Sequence, residues 1–366
     1  MRAGYVDVDG LMYVPDEAYF RIQKYRIYRD DIYISVAGTL GIVGQIPDYL
    51  DGANLTENAN RITDIKCNIK FLMYWLMSSE IQGLINQTQT LGAQPKLALT
   101  RIRNFPIILP PIEEQEQIAE VLCNVDTLIT NLRKLIRKKN DIRQGTMQML
   151  VTGKKRLSGF DGNWRVTTLD QLCYIVTKQT GFDYSAEIKP SLVTTPQIGT
   201  IPFIQNKDFE AFDINYNTDF FIPYDVAEKY PRILLNEVCL LISISGRIGN
   251  VAIFDNEQTS FAGGAVGIAK LYEPELASWC MLYLSSKDGQ EQIFSNEKVG
   301  AQHNLTVADV RKLEIKMPAK SEREAIIKVL TDMNDEIEVL EEKLDKYQKI
   351  KQGMMEELLT GKVRLV

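Results

Sequence analysis

Two stretches of the chain, which follow Pro111 and Pro318, carry hydrophobic side chains at intervals of three and four residues. This spacing puts the hydrophobic side chains on one face of an α-helix, and a seam of about ten turns is typical of a coiled coil. The alternative is that each helix packs only on its own domain. The seam positions are Leu122, Val125, Ile129, Leu132 and Ile136 in the first stretch, and Leu330, Met333, Ile337, Leu340, Leu344, Tyr347, Met354 and Leu358 in the second.

Outside these helices the pattern changes to short runs of β-branched and aromatic residues, which Gly, Asn, Asp and Pro separate. Such runs are typical of strands joined by turns, with a few helices between them. The sequence therefore predicts the α+β class, with two mixed α/β globular domains in tandem, each followed by a long helix. The predicted boundaries are residues 1–110 and 158–318 for the globular domains, and 111–157 and 319–366 for the helices.

The two halves of the chain are copies of one plan. The segment SVAGTLGIVG at residues 35–44 matches SISGRIGNVA at residues 243–252, an offset of 208 residues. The same offset aligns IRQGTMQMLVTGKKRL at residues 142–157 with IKQGMMEELLTGKVRL at residues 350–365. A repeat of this length indicates duplicated domains and not a solenoid of short units.

The charge pattern predicts the direction in which the two helices pair. Residues 129–156 contain nine Lys or Arg and one acidic residue, whereas Glu338, Glu341, Glu342 and Asp345 make part of the second helix acidic. An antiparallel pair within one chain would place these groups opposite each other, but a parallel pair with a second copy would oppose like charges. The sequence therefore favours an intramolecular antiparallel coiled coil. The alternative is that both charge runs are solvated faces.

The composition limits the chemistry that the chain can perform. It has five widely spaced cysteines without a C-x-x-C pair, and its single histidine is His303, so we expect no disulfide scaffold, zinc site or catalytic triad. We find no G-x-G-x-x-G, phosphate-loop, G-x-S-x-G or H-E-x-x-H motif. The sequence therefore predicts a binding protein without catalytic residues and without a metal or a cofactor of its own.

Hydropathy and net charge narrow the location and the partners. No apolar run is long enough to span a membrane, and the N-terminus lacks a secretory signal, so we expect a cytoplasmic protein with no membrane partner. The net charge of -6 argues against a protein whose whole surface binds nucleic acid. Any contact with DNA is therefore expected to be local or shared with a partner.

Two motifs carry a family resemblance. The segment LPPIEEQEQIAEVLCNVDTLI at residues 109–129 contains the pattern P-x-x-E-Q-x-x-I-A-x-x-L, and the two repeats end in TGKKRL and TGKVRL. With its two variable globular halves, the chain resembles the specificity subunit of type I restriction-modification systems over nearly its whole length. The second copy of the pattern, PAKSEREAIIKVL, keeps Glu322 but has Arg323 where Gln is usual.

The resemblance implies a non-catalytic subunit that recognises a bipartite target in double-stranded DNA. Each of two target-recognition domains is expected to read one half of the target. The paired helices are expected to dock two methylation subunits and, in the full complex, a restriction subunit. The resemblance also implies that S-adenosylmethionine binds the partner methylation subunit.

One feature departs from the family pattern. Residues 158–208 have no counterpart at the start of the first repeat, so we expect a first recognition domain that is shortened at its N-terminus. It should have fewer strands, and an exposed sheet edge or apolar patch. Three explanations stay open. They are a trimmed start, a shortened chain that self-associates through this domain, and a donor of sequence for recombination that does not function alone.

The candidate DNA contacts are polar side chains in loops, because amide and basic groups can reach base edges. The glycines at positions 38, 41, 246 and 249 are interpreted as turn residues beside these loops. Ordinary surface polarity is the alternative interpretation, above all for Arg247, Gln302 and His303. The candidates are Thr39, Gln94 and Lys96 in the first domain, and Gln205, Asn206, Lys207, Arg247, Asn250, Gln302, His303 and Asn304 in the second.

Two other classes of function stay open. The chain is alternatively a coiled-coil scaffold whose variable domains bind proteins, or an enzyme whose site the motifs do not reveal. Copurification with a methylation subunit and sequence-selective retention of duplex DNA would favour the recognition subunit. Selective binding of another protein would favour the scaffold, and turnover by the chain alone would favour the enzyme.

Overall fold

The computed structural model of the chain describes residues 6, 11–87, 96–180, 184–210, 212–295 and 304–365. The chain divides into two compact units. The first unit consists of residues 1–137 and 338–366, and the second unit consists of residues 138–337. Both long helices are therefore shared between the units. Because this division follows packing and not the repeat, the domain boundaries given above stay predictions.

In its described residues the first unit contains a three-stranded antiparallel sheet with the order β2-β1-β3. The central strand β1 has the sequence IYIS and is buried at every residue, because Ile32 and Ile34 lie in one hydrophobic cluster and Tyr33 lies in another. The strands are β1 (Ile32–Ser35), β2 (Val43–Gln45) and β3 (Ala59–Ile62), and the helices are α1 (Asp16–Tyr19), α2 (Ile69–Met77), α3 (Ser79–Asn86), α4 (Leu99–Arg103) and the first long helix α5 (Ile112–Val151).

The core of the first unit forms where α2 and α3 pack against the sheet and against both long-helix segments. Asn68 caps α2 by accepting a hydrogen bond from the Phe71 N–H (3.0 Å). The Trp75 indole N–H donates to the Pro106 carbonyl (2.8 Å), which ties the segment before α5 to α2. The core includes Ile32, Ile34, Phe71, Trp75, Ile118, Leu122, Leu358 and Leu359.

The second unit holds two four-stranded sheets in its described residues. One is antiparallel with the order β12-β11-β14-β5, and the other has the order β10-β13-β6-β9 with a parallel β13–β6 pair. The strands are β4 (Arg165–Thr168), β5 (Cys173–Lys178), β6 (Thr200–Ile204), β7 (Phe209–Glu210), β8 (Asp213–Ile214), β9 (Phe221–Pro223), β10 (Leu234–Leu235), β11 (Cys239–Ser243), β12 (Val251–Phe254), β13 (Ser260–Ala262), β14 (Val266–Leu271) and β15 (Glu314–Met317).

Helix α8 packs on strands β11 and β12 of the antiparallel sheet, whereas α7 packs on β9 of the other sheet. Helix α8 is buried at nearly every position, and its Trp279 indole N–H donates to the Lys316 carbonyl of β15 (2.9 Å). The helices are α6 (Leu169–Leu172), α7 (Tyr224–Ala227), α8 (Ala277–Ser285), α9 (Lys287–Ser295), α10 (Val307–Arg311) and the second long helix α11 (Lys320–Leu358).

The repeat that the sequence predicts is confirmed element by element. Helices α2, α3, α4 and α5 each begin 208 residues before α8, α9, α10 and α11, respectively. At the same offset, strands β1, β2 and β3 overlap with β11, β12 and β14, respectively. The second unit also contains β4, β5 and β6.

The two long helices run antiparallel in the second unit. Lys139 Nζ lies 2.6 Å from Glu336 Oε1, and Arg156 Nη2 lies 2.7 Å from Glu322 Oε2. A residue later in the first helix or its tail therefore contacts a residue earlier in the second helix, as two antiparallel helices require.

The same direction holds in the first unit. There, Lys351 Nζ lies 2.7 Å from Asp126 Oδ1, and Arg364 Nη2 lies 2.5 Å from Glu114 Oε2. The predicted antiparallel packing is therefore confirmed within each unit.

The charge pairing that we expected between the helices is mostly wrong. Among the described residues, Glu338, Glu341 and Glu342 are exposed and form no ion pair, and Asp345 pairs with Lys349 of its own helix (2.6 Å). Exposed pairs contribute little because water solvates both partners. The buried seam residues, among them Leu122, Ile129, Leu132, Leu330 and Ile337, therefore hold the helices together.

None of the described helices is long and apolar enough to cross a membrane.

Candidate nucleic-acid interface

The turn between β11 and β12 presents Arg247 at the surface of the second unit. Its backbone is fixed by Ser243, whose hydroxyl donates to the Arg247 carbonyl (2.6 Å) and accepts from the Asn250 N–H (2.9 Å). Gly246 and Gly249 have φ angles of 73° and 91°, which favour glycine. The glycines are therefore turn residues, as the sequence predicts, and Arg247 is held at the exposed tip of the turn.

A glutamine anchors this turn to the helices behind it. The Gln290 side-chain amide donates to the Gly249 carbonyl (2.8 Å) and to the Leu284 carbonyl (2.8 Å). Sequence reasoning missed this residue. The signal that could have found it is the identity of Gln290 with Gln82 at the repeat offset of 208 residues.

The first unit builds the same turn between β1 and β2. The Ser35 hydroxyl donates to the Thr39 carbonyl (2.6 Å) and accepts from the Ile42 N–H (2.7 Å). The Gln82 amide donates to the Gly41 carbonyl (3.0 Å). Thr39 takes the place of Arg247 at the exposed tip. Two identical supports therefore present two different side chains.

Four of the predicted contact residues of the second domain lie together around this turn. The Asn206 amide donates to the Ser245 carbonyl (2.8 Å), and Ser245 also forms an isolated β-bridge with Asn304. Arg247 and Asn250 are exposed in the same turn. The structure therefore brings Asn206, Arg247, Asn250 and Asn304 into one polar surface, which we call the recognition cluster.

Two other predicted residues flank the recognition cluster and have local partners. Gln205 caps the short turn at residues 206–208, in which its side chain accepts from the Asp208 N–H and its own N–H donates to Asp208 Oδ2 (2.7 Å). Burial raises the pKa of Asp208, while the hydrogen bond from Gln205 opposes the shift. Lys207 is exposed and forms an ion pair with Asp219, which lowers the charge available to a phosphate.

The first unit contributes Lys96 beside its own turn. Lys96 is exposed and forms a β-bridge with Ala37, next to the turn that carries Thr39. The predicted residues Gln94, Gln302 and His303 lie outside the described residues.

No group of three His, Cys, Asp or Glu among the described residues is placed to hold a metal ion. The five cysteines of the chain are all free thiols. Burial raises the pKa of Cys173 and of Cys239 to about 12, so neither is a thiolate nucleophile at neutral pH. The geometry is that of a surface that presents polar side chains on fixed turns.

A family model described as "Type I restriction modification DNA specificity domain" matches residues 16–143 and again residues 162–351. The chain belongs to this family. The two matched segments of the specificity-domain protein cover both repeats, and they include the recognition cluster and the two turns.

Two specificity subunits of known systems are similar to the chain. The chain is 26% identical over 380 residues to the putative type I restriction enzyme MjaX specificity subunit of Methanocaldococcus jannaschii, covering 98% of this chain and 84% of the relative. It is 25% identical over 327 residues to the type I restriction enzyme MjaVIII specificity subunit of the same organism, covering 84% of this chain and 72% of the relative.

Solved structures share the fold. A chain from a study of complex assembly and conformational transition of the type I R-M system aligns with a TM-score of 0.57 at 16% identity, over 91% of this chain and 82% of that one. The type I restriction-modification S subunit from M. genitalium aligns with a TM-score of 0.51 at 16% identity, over 92% of this chain and 84% of that one. The family and fold class expected from the sequence are therefore confirmed.

Proposed function

We propose that the chain is the non-catalytic subunit that reads the DNA target of a type I restriction-modification complex. The observation that carries this proposal is the pair of identical turns with different tips, Thr39 in one domain and Arg247 in the other. An identical support fixes where each tip stands, and a different tip side chain changes which base edge it can bind. Two such domains suit a bipartite target with two unlike halves.

Arg247 is the strongest candidate for direct base recognition. An exposed guanidinium can donate two hydrogen bonds to O6 and N7 of guanine in the major groove, and the fixed turn lowers the entropy cost of that contact. Asn206, Asn250 and Asn304 surround the turn and offer amides, which pair well with adenine. The second domain therefore suits a half-site that contains guanine and adenine.

The charge of the chain supports a role within a larger complex. Residues 129–156 carry a net charge of +8, so the rest of the chain carries -14 of the total of -6 and has no positive excess to neutralise DNA phosphates. The proposal includes two methylation subunits that carry S-adenosylmethionine and dock on the helix pair, a restriction subunit in the full complex, and action in the cytoplasm. Self-association through the first domain stays a prediction, as does the alternative of a recombination donor.

The test is methylome sequencing of cells that express the chain with its cognate methylation subunit. We expect Arg247→Ala to relax the methylated motif at one half-site by about 1 to 3 kcal/mol of discrimination and to leave the other half unchanged. Arg232→Ala is the matched control, because Arg232 is also an exposed arginine of the second unit and has no described contact with the turn. An unchanged motif in Arg247→Ala, or methylation without any preference in the wild type, contradicts the proposal.

A further inference from the structure

The end of the sheet that carries the recognition cluster extends beyond the turn between β11 and β12. The neighbouring strand β14 begins beside that turn, and β5 ends on the other side of β14. Ser243, the last residue of β11, lies opposite Val266. Gly267 lies opposite Lys178, the last residue of β5. Gln179, which follows β5, therefore lies at the same end of the sheet as the recognition cluster.

Two glycines connect Gln179 to the recognition cluster. The Gly263 N–H donates to the Ile204 carbonyl (2.8 Å), at the end of β6 that leads to Asn206. A Cβ atom on the next residue, Gly264, would lie 3.1 Å from Gln179 Oε1. The amide of Gln179 therefore lies against a turn of two glycines, which we call the glycine turn, and the glycine turn lies beside the segment that carries Asn206.

The amide of Gln179 lacks a partner for its donor. Its Nε2 atom is buried, yet this atom has no hydrogen-bond partner among the described residues. The residue as a whole is half-buried, so its side chain also reaches the surface. A buried donor without an acceptor destabilises a fold, and native proteins contain few of them. The fold alone therefore gives no reason for an amide at this position.

We infer that Gln179 reads a base in the half-site that the second domain recognises, an inference that rests on the proposed function. DNA would supply the acceptor that the fold lacks. A glutamine amide donates and accepts at once, so it suits N6 and N7 of adenine in the major groove. The side chain has three rotatable bonds, and Gly264 has no side chain that would obstruct its rotation from the glycine turn towards a base.

The place of Gln179 in the sheet predicts which base it reads. Adjacent strands lie about 4.8 Å apart, and β5 is two strands from β11, so Gln179 lies about 10 Å from the turn that carries Arg247. Successive bases along one strand of B-DNA lie about 3.4 Å apart. With DNA along the row of strand ends, Gln179 contacts a base about three base pairs from the one that Arg247 contacts.

The alternative role for a glutamine at this end of the sheet is support of a turn, and Gln290 shows what that role requires. The Gln290 amide donates to two carbonyls. Gln179 Nε2 donates to no group in the part of the chain that the structure describes. Removal of the amide should therefore destabilise the second unit at Gln290 but not at Gln179.

The test is Gln179→Met in the full chain, expressed with its cognate methylation subunit, because Met keeps the length of the side chain and removes the amide. Methylome sequencing should show a preference for adenine that is weaker by about tenfold or more at one position of one half-site. The other half-site should be unchanged. The urea midpoint of the purified chain should equal that of wild type or rise, because the variant loses a buried donor and no hydrogen bond from it.

A second variant tests whether the side chain itself contacts the base. Gln179→Glu replaces the amide by a carboxylate, which accepts hydrogen bonds and cannot donate them. A carboxylate suits N4 of cytosine and not N6 and N7 of adenine. We therefore expect the preferred base at the position that Gln179→Met relaxes to change from adenine towards cytosine.

Gln258→Met is the matched control. Gln258 is an exposed glutamine of the same unit, in the connection between β12 and β13. Because β12 runs antiparallel to β11 away from the turn that carries Arg247, this connection lies at the opposite end of the sheet. Gln258→Met should change neither the methylated motif nor the urea midpoint.

Arg247→Ala in the same experiment separates this inference from the proposed function. If Arg247→Ala relaxes the motif and Gln179→Met leaves it unchanged, the second domain reads DNA without Gln179, and the inference is overturned. A change at the same base as in Arg247→Ala, with a lower urea midpoint, would show that Gln179 only supports the turn, which also overturns it. If neither variant changes the motif, the proposed function fails and the inference fails with it.

Discussion

At the scale of single residues, two glutamines that are distant in sequence from the predicted contacts fix the turns that carry Arg247 and Thr39. Gln290 donates to the carbonyls of Gly249 and Leu284, and Gln82 makes the equivalent bonds in the first unit. Each amide joins the end of a turn to the last residues of the preceding helix, α8 or α2. Because Ser243 or Ser35 also holds the start of the turn, the tip side chain keeps one position, which lowers the entropy cost of contacting a base.

Substitution of each glutamine is expected to change the recognition of a different half of the DNA target. Gln290→Met keeps the length of the side chain but leaves two carbonyls without their donor, at a cost of about 1 to 3 kcal/mol. We expect relaxed recognition of one half-site in Gln290→Met and of the other half-site in Gln82→Met. Methylome sequencing of both variants measures this, with urea unfolding to confirm that the units remain folded. Loss at the same half-site in both variants would contradict the assignment of one turn to each half.

No local sequence pattern predicts the hydrogen bonds from Gln290 and Gln82 to the turns. The distance along the chain from Gln290 to Gly249 exceeds any local pattern, so the bond depends on how α9 packs beside the turn. The repeat nevertheless contained the information, because Ser35, Gln82, Ser243 and Gln290 are two identical pairs at one offset. Reading the repeat for identical polar residues, as well as for motifs, would have found them.

At the scale of elements, the structure explains the two motifs that carry the family resemblance. Arg156, in the TGKKRL tail, donates to both oxygens of Glu322, which also accepts from the Trp164 indole (3.0 Å). The tail of each repeat therefore clamps the start of the long helix of the other repeat, since Arg364 binds Glu114 in the same way. A bidentate arginine–carboxylate pair gives this contact a fixed geometry.

The departure of the second motif from the family has a local explanation. Gln115 accepts from the Asn68 N–H (2.9 Å) and donates to the Pro110 carbonyl (2.8 Å). Arg323 stands at the equivalent position and donates to the Pro318 carbonyl (3.4 Å). It keeps the contact with the proline before the helix, and a guanidinium has no acceptor for the other bond.

The clamps predict which basic residues of the tail matter for stability. Glu322 is 2% exposed, so Arg156→Ala should leave a buried carboxylate without its cation and lower the melting temperature of the second unit by several degrees. Lys155→Ala is the control, because Lys155 is exposed and forms no described ion pair. Thermal unfolding of the two variants and of the double variant Arg156→Ala with Glu322→Gln gives the comparison. Equal melting temperatures for Arg156→Ala and wild type would refute the clamp.

The second clamp predicts a dependence on acid. The hydrogen bond from Arg364 holds the pKa of Glu114 below its usual value, so the pair stabilises the folded chain above that usual value. The contribution should be lost as the pH falls below about 4.3 towards the lowered pKa. Urea midpoints of wild type and Glu114→Gln should differ at neutral pH and converge in acid. A constant difference across this range would show that Glu114 titrates normally.

At the scale of the whole molecule, the sequence predicted correctly that the two long helices pair, but it predicted less well which interactions hold them together. The seam from Leu122 to Ile136 and its partner from Leu330 to Leu358 predicted the helix pair, and the charge pattern predicted its antiparallel direction. The charge pattern predicted the correct direction, but the ion pairs expected for Glu338 and its neighbours do not form, because these side chains are exposed to solvent. The hydrophobic positions of the seam are a reliable predictor because these side chains must be buried in the fold. Charged side chains are a weaker predictor, because water can solvate them in place of an oppositely charged partner.

The distribution of charge over the molecule predicts that the chain alone binds DNA weakly and that its partners supply affinity. Arg247 is one exposed cation in the recognition cluster, and the charge of nearby Lys207 is already paired with Asp219. Phosphate neutralisation supplies most non-specific affinity, and each phosphate contact contributes about -0.9 to the slope of log K against log salt. Adding methylation subunits should therefore tighten binding and steepen this slope.

Arg247→Ala separates base recognition from phosphate binding in the same experiment. Fluorescence anisotropy over a salt series should show lost discrimination at one half-site with little change in slope, because a base contact releases few counterions. Arg232→Ala should change neither quantity. Tight, specific binding by the isolated chain at physiological salt, with no further gain when methylation subunits are added, would show that the recognition domains carry the electrostatic affinity themselves.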